Sequence, residues 1–152
     1  MLDITIISIG KLKEKYYLQA SNEYLKRLKP YAKIKMIELP ALSFSVHNKE
    51  DIRKKESQKI EKYIQNNHLD NIYLLSESGQ EFDSIELATW LNSNYKLNLV
   101  IAGSLGFSHK MSDKYPKISL SKLTFPHELA RVVLLEQLYR AVSILNNKTY
   151  HY

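Results

Sequence analysis

The sequence predicts an α/β fold, a mostly parallel β-sheet with helices on both faces. Short, β-branched apolar segments alternate with longer amphipathic ones along the 152 residues. Glycine, proline and asparagine punctuate the boundaries between them. No repeat, low-complexity stretch or linker breaks the order βαβαβαβ(α)βα, so residues 1–152 are expected to form a single domain.

Ile4-Thr5-Ile6-Ile7-Ser8-Ile9 is nearly continuous in apolar residues, the pattern of a strand buried on both faces, and Gly10 ends it. Tyr17, Ala20, Tyr24, Leu25 and Leu28 then fall on one helical stripe, which Pro30 stops. Ile34-Lys35-Met36-Ile37-Glu38-Leu39 reads as the second strand, closed by Pro40. A polar loop over 41–48 leads to a charged helix over 49–66, with Ile52, Ile60, Tyr63 and Ile64 as its apolar positions. Asn71-Ile72-Tyr73-Leu74-Leu75 is the third strand, with Ser76-Glu77-Ser78-Gly79 as its loop. Asp83 and Glu86 have capping-box spacing and open a helix through Leu87, Trp90 and Leu91. A fourth strand over 97–102 runs into Gly103-Ser104-Leu105-Gly106 and a short helical stretch. Ile118-Ser119-Leu120 is the fifth strand. The last helix covers 128–145 after Pro126, and Asn146-Asn147 stops it because asparagine tolerates the left-handed conformation.

Cysteine is absent, which excludes disulfides, thiolate zinc sites and cysteine nucleophiles. The start of the chain lacks the layout of a signal peptide, and no apolar run approaches the roughly 18 residues of a membrane span. A cytoplasmic protein without a membrane partner is therefore expected. The formal net charge is +6 and unevenly spread. Residues 1–35 carry a net +5 and residues 106–152 a net +4, whereas residues 71–105 carry a net −3. Basic ends around an acidic middle suit a polyanionic partner.

Ligands of parallel α/β sheets bind at the carboxyl ends of strands. In this chain those ends carry the loops after Leu75, Ala102 and Leu120. Gly103-x-x-Gly106 follows a strand, where glycine lets a backbone approach a ligand or simply makes a tight turn. The segment through Ser121, Thr124, Pro126 and His127 reaches a helix start, where backbone N–H groups are free. Glu136 and Arg140 have the favourable i,i+4 order for an ion pair, while Arg131 and Arg140, nine residues apart, point to opposite faces. The tail Thr149-Tyr150-His151-Tyr152 is aromatic and titratable, suited to fraying or to stacking on a base. Histidines 47, 68, 109, 127 and 151 form no HxH or HxxxH pair, so no metal site is expected. No Walker, GxGxxG or GxSxG motif is present.

Several of these pieces occur in one combination: Ile9-Gly10-Lys11-Leu12-Lys13, Leu75-x-x-x-Gly79 and Val100-Ile101-Ala102-Gly103-Ser104-Leu105-Gly106. They continue with Ser119-Leu120-Ser121-Lys122-Leu123-Thr124-Phe125-Pro126-His127, then Arg131-Val132-Val133-Leu134-Leu135-Glu136-Gln137-Leu138-Tyr139-Arg140-Ala141, and end on Tyr150-His151. The combination spans the chain and resembles the ribosomal RNA large-subunit methyltransferase H family of the SPOUT superfamily.

The resemblance implies a C-terminal trefoil knot and a homodimer with its active site at the subunit interface. It also implies S-adenosylmethionine as methyl donor. The implied reaction is methylation of N3 of a pseudouridine in the helix 69 hairpin of 23S rRNA, in assembled ribosomes. Leu75, Ala102, Gly103, Leu120, Ser121, Lys122, Leu123, Thr124 and Phe125 would then form the cofactor pocket. His127, Arg140, Tyr150 and His151 would face the base. The chain departs from the family pattern at Ala102, where relatives usually have glycine. It also departs at Ser76, for a common acidic residue, and at Asn147, often glycine. Arg140 would favour the N3 anion, and its proton would go to His127 or His151, or else to the ribosome or water. Two rival readings remain at this level: a SPOUT methyltransferase with another RNA target, and a non-enzymatic ribosome-associated RNA-binding protein.

Overall fold

The computed structural model describes residues 1–43 and 48–152; His47 and part of the expected 41–48 loop lie outside the described residues. The chain runs β1 (Leu2–Ile9), α1 (Lys15–Leu28), β2 (Ala32–Leu39), α2 (Lys49–Asn66), β3 (Ile72–Glu81), α3 (Ser84–Ser93), β4 (Lys96–Ile101), α4 (His109–Lys114), β5 (Lys117–Ser119) and α5 (His127–Leu145). The strands form one sheet in the order β2-β1-β4-β3-β5, and every pairing is parallel.

Both faces of the sheet are covered, which is why its strands read as continuous apolar runs. Ile4 and Ile6 point to one face, where Leu28 of α1, Leu91 of α3 and Leu134, Leu135 and Leu138 of α5 pack. Ile7 and Ile9 point to the other, against Ile60 and Ile64 of α2 and Met111 of α4. The period-2 alternation of β1 thus feeds two cores.

The capping box of α3 forms as the spacing predicts. Asp83 accepts from the Glu86 N–H, and Glu86 accepts from the Asp83 N–H, each at 2.8 Å. The end of α5 also follows expectation. Asn147 takes φ 54°, while its N–H and that of Lys148 reach back to the carbonyls of Ile144 and Ser143. Asparagine is one of the few residues besides glycine that tolerate that left-handed position.

Several boundaries differ from the sequence reading. Strands β1 and β2 each begin two residues earlier than expected, because Leu2 and Ala32 are buried and pair with one another. Strand β5 and helix α5 each start one residue earlier, with Pro126 at the N-cap and no side-chain cap. The larger correction concerns β3. Residues Ser76 to Gly79, expected as a loop, belong to a strand that continues to Glu81 through an irregularity. Both Leu75 and Gln80 pair with Ile118, so the chain bends out and returns to the same partner. Gly79 permits that return, since a Cβ there would lie 2.6 Å from the Ile118 carbonyl carbon. Polar residues hid the strand by breaking the apolar alternation.

Candidate active site

The carboxyl ends of β3, β4 and β5 open into one cavity of about 900 Å³. Leu75, Ile101, Leu120 and Phe125 supply apolar wall, while the turns from Ala102 to Phe107 and from Leu120 to Pro126 form much of the rim. The first turn is closed by a bond from the Gly106 N–H to the Gly103 carbonyl, 3.1 Å. The second is shaped by its hydroxyls: Ser119 Oγ donates to the Ser121 carbonyl at 2.8 Å, and Ser121 Oγ accepts from the Leu123 N–H at 3.1 Å. Closely spaced hydroxyl residues therefore hold the rim in shape.

Among the residues expected to form a cofactor pocket, Leu75, Ala102, Gly103, Leu120, Ser121, Leu123, Thr124 and Phe125 all line this cavity. Lys122 is not among the lining residues; its ammonium lies 3.7 Å from Glu81 on the surface. Ala102 sits on the cavity wall. The structure adds a packing constraint at Gly103. A Cβ there would lie 3.0 Å from Glu56 Oε1 and 3.2 Å from Ile9 Cγ2. Packing against α2 and β1 leaves little room for a side chain there, on a residue that also lines the cavity. Buried Glu56 is itself fixed, accepting the Leu42 N–H at 3.1 Å.

His127 also lines the cavity, from the first turn of α5. Its Nδ1 lies 3.4 Å from Ser104 Oγ on the opposite rim. Next to it, Glu128 accepts the Lys13 N–H at 2.6 Å and the Glu14 N–H at 3.3 Å, tying the start of α5 to the loop after β1. Glu77 and Ser104 also line the cavity; both lie in the strand-end loops expected to carry a ligand, though neither was singled out from sequence. Glu77 fell in the segment read as a loop, which the structure shows as the continuation of β3.

Arg140, Tyr150 and His151 come together, but away from the cavity. Glu136 Oε1 accepts from Arg140 Nε at 3.0 Å, from Arg140 Nη2 at 2.5 Å and from the Tyr150 hydroxyl at 3.1 Å. The Arg140 guanidinium carbon lies 4.8 Å from the centre of the Tyr150 ring, and its Nη1 lies 3.4 Å from His151 Nδ1. The hydrogen bonds to Glu136 push the Arg140 pKa above its already high value, so the charge is permanent. Burial, then the hydrogen bond with Tyr24, pushes the Tyr150 hydroxyl well above the usual phenol range. Tyr150 is thus a proton donor at neutral pH and not a base.

His127 and Arg140 are thirteen residues apart on one helix. At 1.5 Å per residue that is about 20 Å along the axis, and the two side chains leave the helix on different sides. One chain therefore carries the cavity with His127 at one end of α5 and the Arg140–Tyr150–His151 cluster at the other. Between them, Leu129, Val132 and Val133 lie half-buried on the face of α5 turned away from the core residues Leu134, Leu135 and Leu138. Leu123, on the cavity rim, is 71% exposed. Among the described residues no three His, Asp or Glu side chains cluster as metal ligands, and no helix is long and apolar enough to cross a membrane.

A parallel sheet with a cavity of this size at its carboxyl edge defines an α/β protein with room for a nucleoside-sized ligand where such sheets bind theirs. The chain belongs, within that class, to the SPOUT methyltransferases and to their ribosomal RNA large-subunit methyltransferase H family. A family model described as "Predicted SPOUT methyltransferase" matches residues 2–151. The chain is 42% identical to "Ribosomal RNA large subunit methyltransferase H" of Kosmotoga olearia, over 99% of this chain and 100% of that protein. It is 44% identical to "Putative ribosomal RNA large subunit methyltransferase H" of Methanococcus vannielii, over 99% of each chain. It is 40% identical to "Ribosomal RNA large subunit methyltransferase H 1" of Clostridium perfringens, again over 99% of each.

Proposed function

We propose that the protein is a homodimeric methyltransferase that uses S-adenosylmethionine to methylate N3 of a pseudouridine in the helix 69 hairpin of 23S rRNA, in assembled ribosomes. The family and its named relatives support the RNA target, and the basic ends of the chain suit it. Lys11, Lys13 and Lys15 are exposed in the loop and first turn after β1, beside the Glu128 tether and hence beside the cavity. The cytoplasm is the compartment that holds such a substrate. The same family carries a C-terminal knot.

The cavity fits S-adenosylmethionine in size and in chemistry. Ligand pockets run from roughly 300 to 1,000 Å³. Leu75, Leu120 and Phe125 offer apolar wall to an adenine ring, and the backbone of the two rim turns offers donors and acceptors to its edge. Glu77, a lining carboxylate, would accept from a ribose diol. Bound there, the cofactor supplies an electrophilic methyl group. The residues supply alignment and charge. The N3–H lies between two carbonyls and must be lost for the nitrogen to attack. A permanent positive charge at Arg140 favours the resulting anion. A guanidinium can only donate, so His151 Nδ1 accepts from Arg140 and its Nε2 carries the hydrogen. His151 therefore orients, and His127 is the proton acceptor, with Ser104 at its Nδ1 leaving Nε2 for the substrate.

The observation that carries this reading is the separation of the two clusters along α5. Two copies meeting through the outer, apolar face of α5 would place the tail of one beside the cavity of the other. A complementation experiment tests it. Ala102→Phe fills the cavity wall, and Arg140→Ala removes the charge. Each homodimer should be inactive on ribosomes lacking the modification. Co-refolded together, the two should recover about a quarter of the wild-type sites, since half the dimers are mixed and each mixed dimer has one intact site. Absence of any recovery, with both variants folded and dimeric, sinks the shared site. Mapping of the methyl group to a nucleotide outside helix 69 sinks the target.

A further inference from the structure

We propose that Tyr24 and Tyr139 are positioning residues that hold the C-terminal tail in its working place by forming a socket for Tyr150. The inference rests on the reading that the tail acts at the active site. Chain termini fray unless something ties them down. Beyond Lys148, the sole backbone bond among the described residues is a local one, from the Tyr150 N–H to the Lys148 carbonyl at 3.0 Å. Side chains must therefore fix the position of His151.

They do so on three sides of Tyr150. The Tyr139 ring meets the Tyr150 ring edge to face, with centroids 4.7 Å apart and planes at 74°. The Tyr24 hydroxyl lies 3.5 Å from the Tyr150 hydroxyl, which also donates to Glu136. Arg140 covers the remaining face. The socket is itself braced. Tyr24 and Tyr139 are tilted neighbours at 6.3 Å, and the Arg27 guanidinium lies 5.7 Å from each ring while Glu23 holds it at 2.9 Å. In this way α1, which contributes nothing to the cavity wall, reaches the reaction through the tail.

The socket explains why the helix stripe through Tyr24 has tyrosine where leucine would fill a core. A phenol is apolar along its ring and polar at its tip, so it can pack against α5 and still meet a hydroxyl. It also gives Glu136 a second task, since one carboxylate oxygen orients both Arg140 and Tyr150.

The test compares Tyr139→Leu, Tyr139→Phe and Tyr24→Phe in the dimeric enzyme. Three quantities are read: single-turnover methylation of unmodified ribosomes, cofactor affinity by calorimetry, and the rate at which carboxypeptidase releases the last residues. Tyr139→Leu should release the tail faster and lower turnover at least about tenfold, with cofactor affinity unchanged. Tyr139→Phe keeps the ring and should restore both. Tyr24→Phe deletes one oxygen, leaves folding intact, and should give a smaller change in the same two readouts. Unchanged tail release in both Tyr139→Leu and Tyr24→Phe overturns the socket. So does faster release with undiminished turnover, provided Arg140→Ala is inactive. If Arg140→Ala is itself fully active, the catalytic reading of the tail fails, and the release rates still decide the socket separately.

Discussion

Two arginines on α5, nine residues apart, show how one residue type divides between structure and chemistry. Arg131 is buried, 7% exposed, and spans from the helix to the ends of two strands. Its Nη1 donates to Ser8 Oγ at 3.1 Å and its Nη2 to Glu38 at 2.7 Å, while its buried Nε–H has no partner among the described residues. Arg140 points the other way, pairs with Glu136 on its own helix and stays half-exposed beside the tail. The first arginine is fully committed to joining α5 to β1 and β2. The second keeps one nitrogen and one face free of the helix, for His151 and Tyr150. What separates them is the 900° of helical turn between the two positions, which puts one toward the sheet and the other toward solvent or a second copy.

Substitutions at the two positions should separate turnover from stability. Arg140→Ala should lower single-turnover methylation by roughly 10²–10³-fold, the scale of removing one charged donor from a developing anion. Its melt should fall by little, because a partly exposed i,i+4 pair contributes about 1 kcal/mol or less. Arg140→Lys should recover part of the rate, since a point charge lacks the planar fork. Near-wild-type turnover in Arg140→Ala would leave the Glu136 pair as the whole explanation of this residue.

Arg131→Ala should do the reverse. The loss is a buried side chain and its pair with Glu38, costing about 2–4 kcal/mol, with Glu38 one-third exposed and able to regain water. Tm should drop by roughly 5–10 °C in a thermal melt. Arg131→Met fills the same volume without an unpaired N–H and should stay within about 1 kcal/mol of the parent. A folded Arg131→Met enzyme that has lost turnover would show that this arginine also serves the site.

The smallest effect is expected at the far end of the helix. Asn147→Gly suits the left-handed φ of 54° and should change stability by less than about 1 kcal/mol, with turnover unchanged. A clear fall in turnover would mean that the path into the tail depends on the asparagine side chain as well as on backbone conformation.

Much of this protein was legible in its residues. The β-branched runs at Ile4 to Ile9 and around Leu99 specified buried parallel strands, because side chains of a strand alternate between two faces and both were apolar. The Asp83–Glu86 box and the Asn146-Asn147 stop are local chemistry within one turn of helix, and both formed as read. Proximity of the three carboxyl-end loops also followed, from the parallel order of the strands. Three matters were decided by tertiary structure. Ser76 to Gly79 continue β3 because Gly79 lies against the backbone of Ile118, 39 residues away in the chain. Gly103 packs closely against Glu56 and Ile9, two neighbours that no local pattern brings near it. And the residues expected around one base fall into two clusters about 20 Å apart along α5. Sequence spacing fixes where residues sit on their own helix or strand. Which surfaces then meet depends on how those elements pack, and contacts between residues distant in the chain leave no local pattern to read.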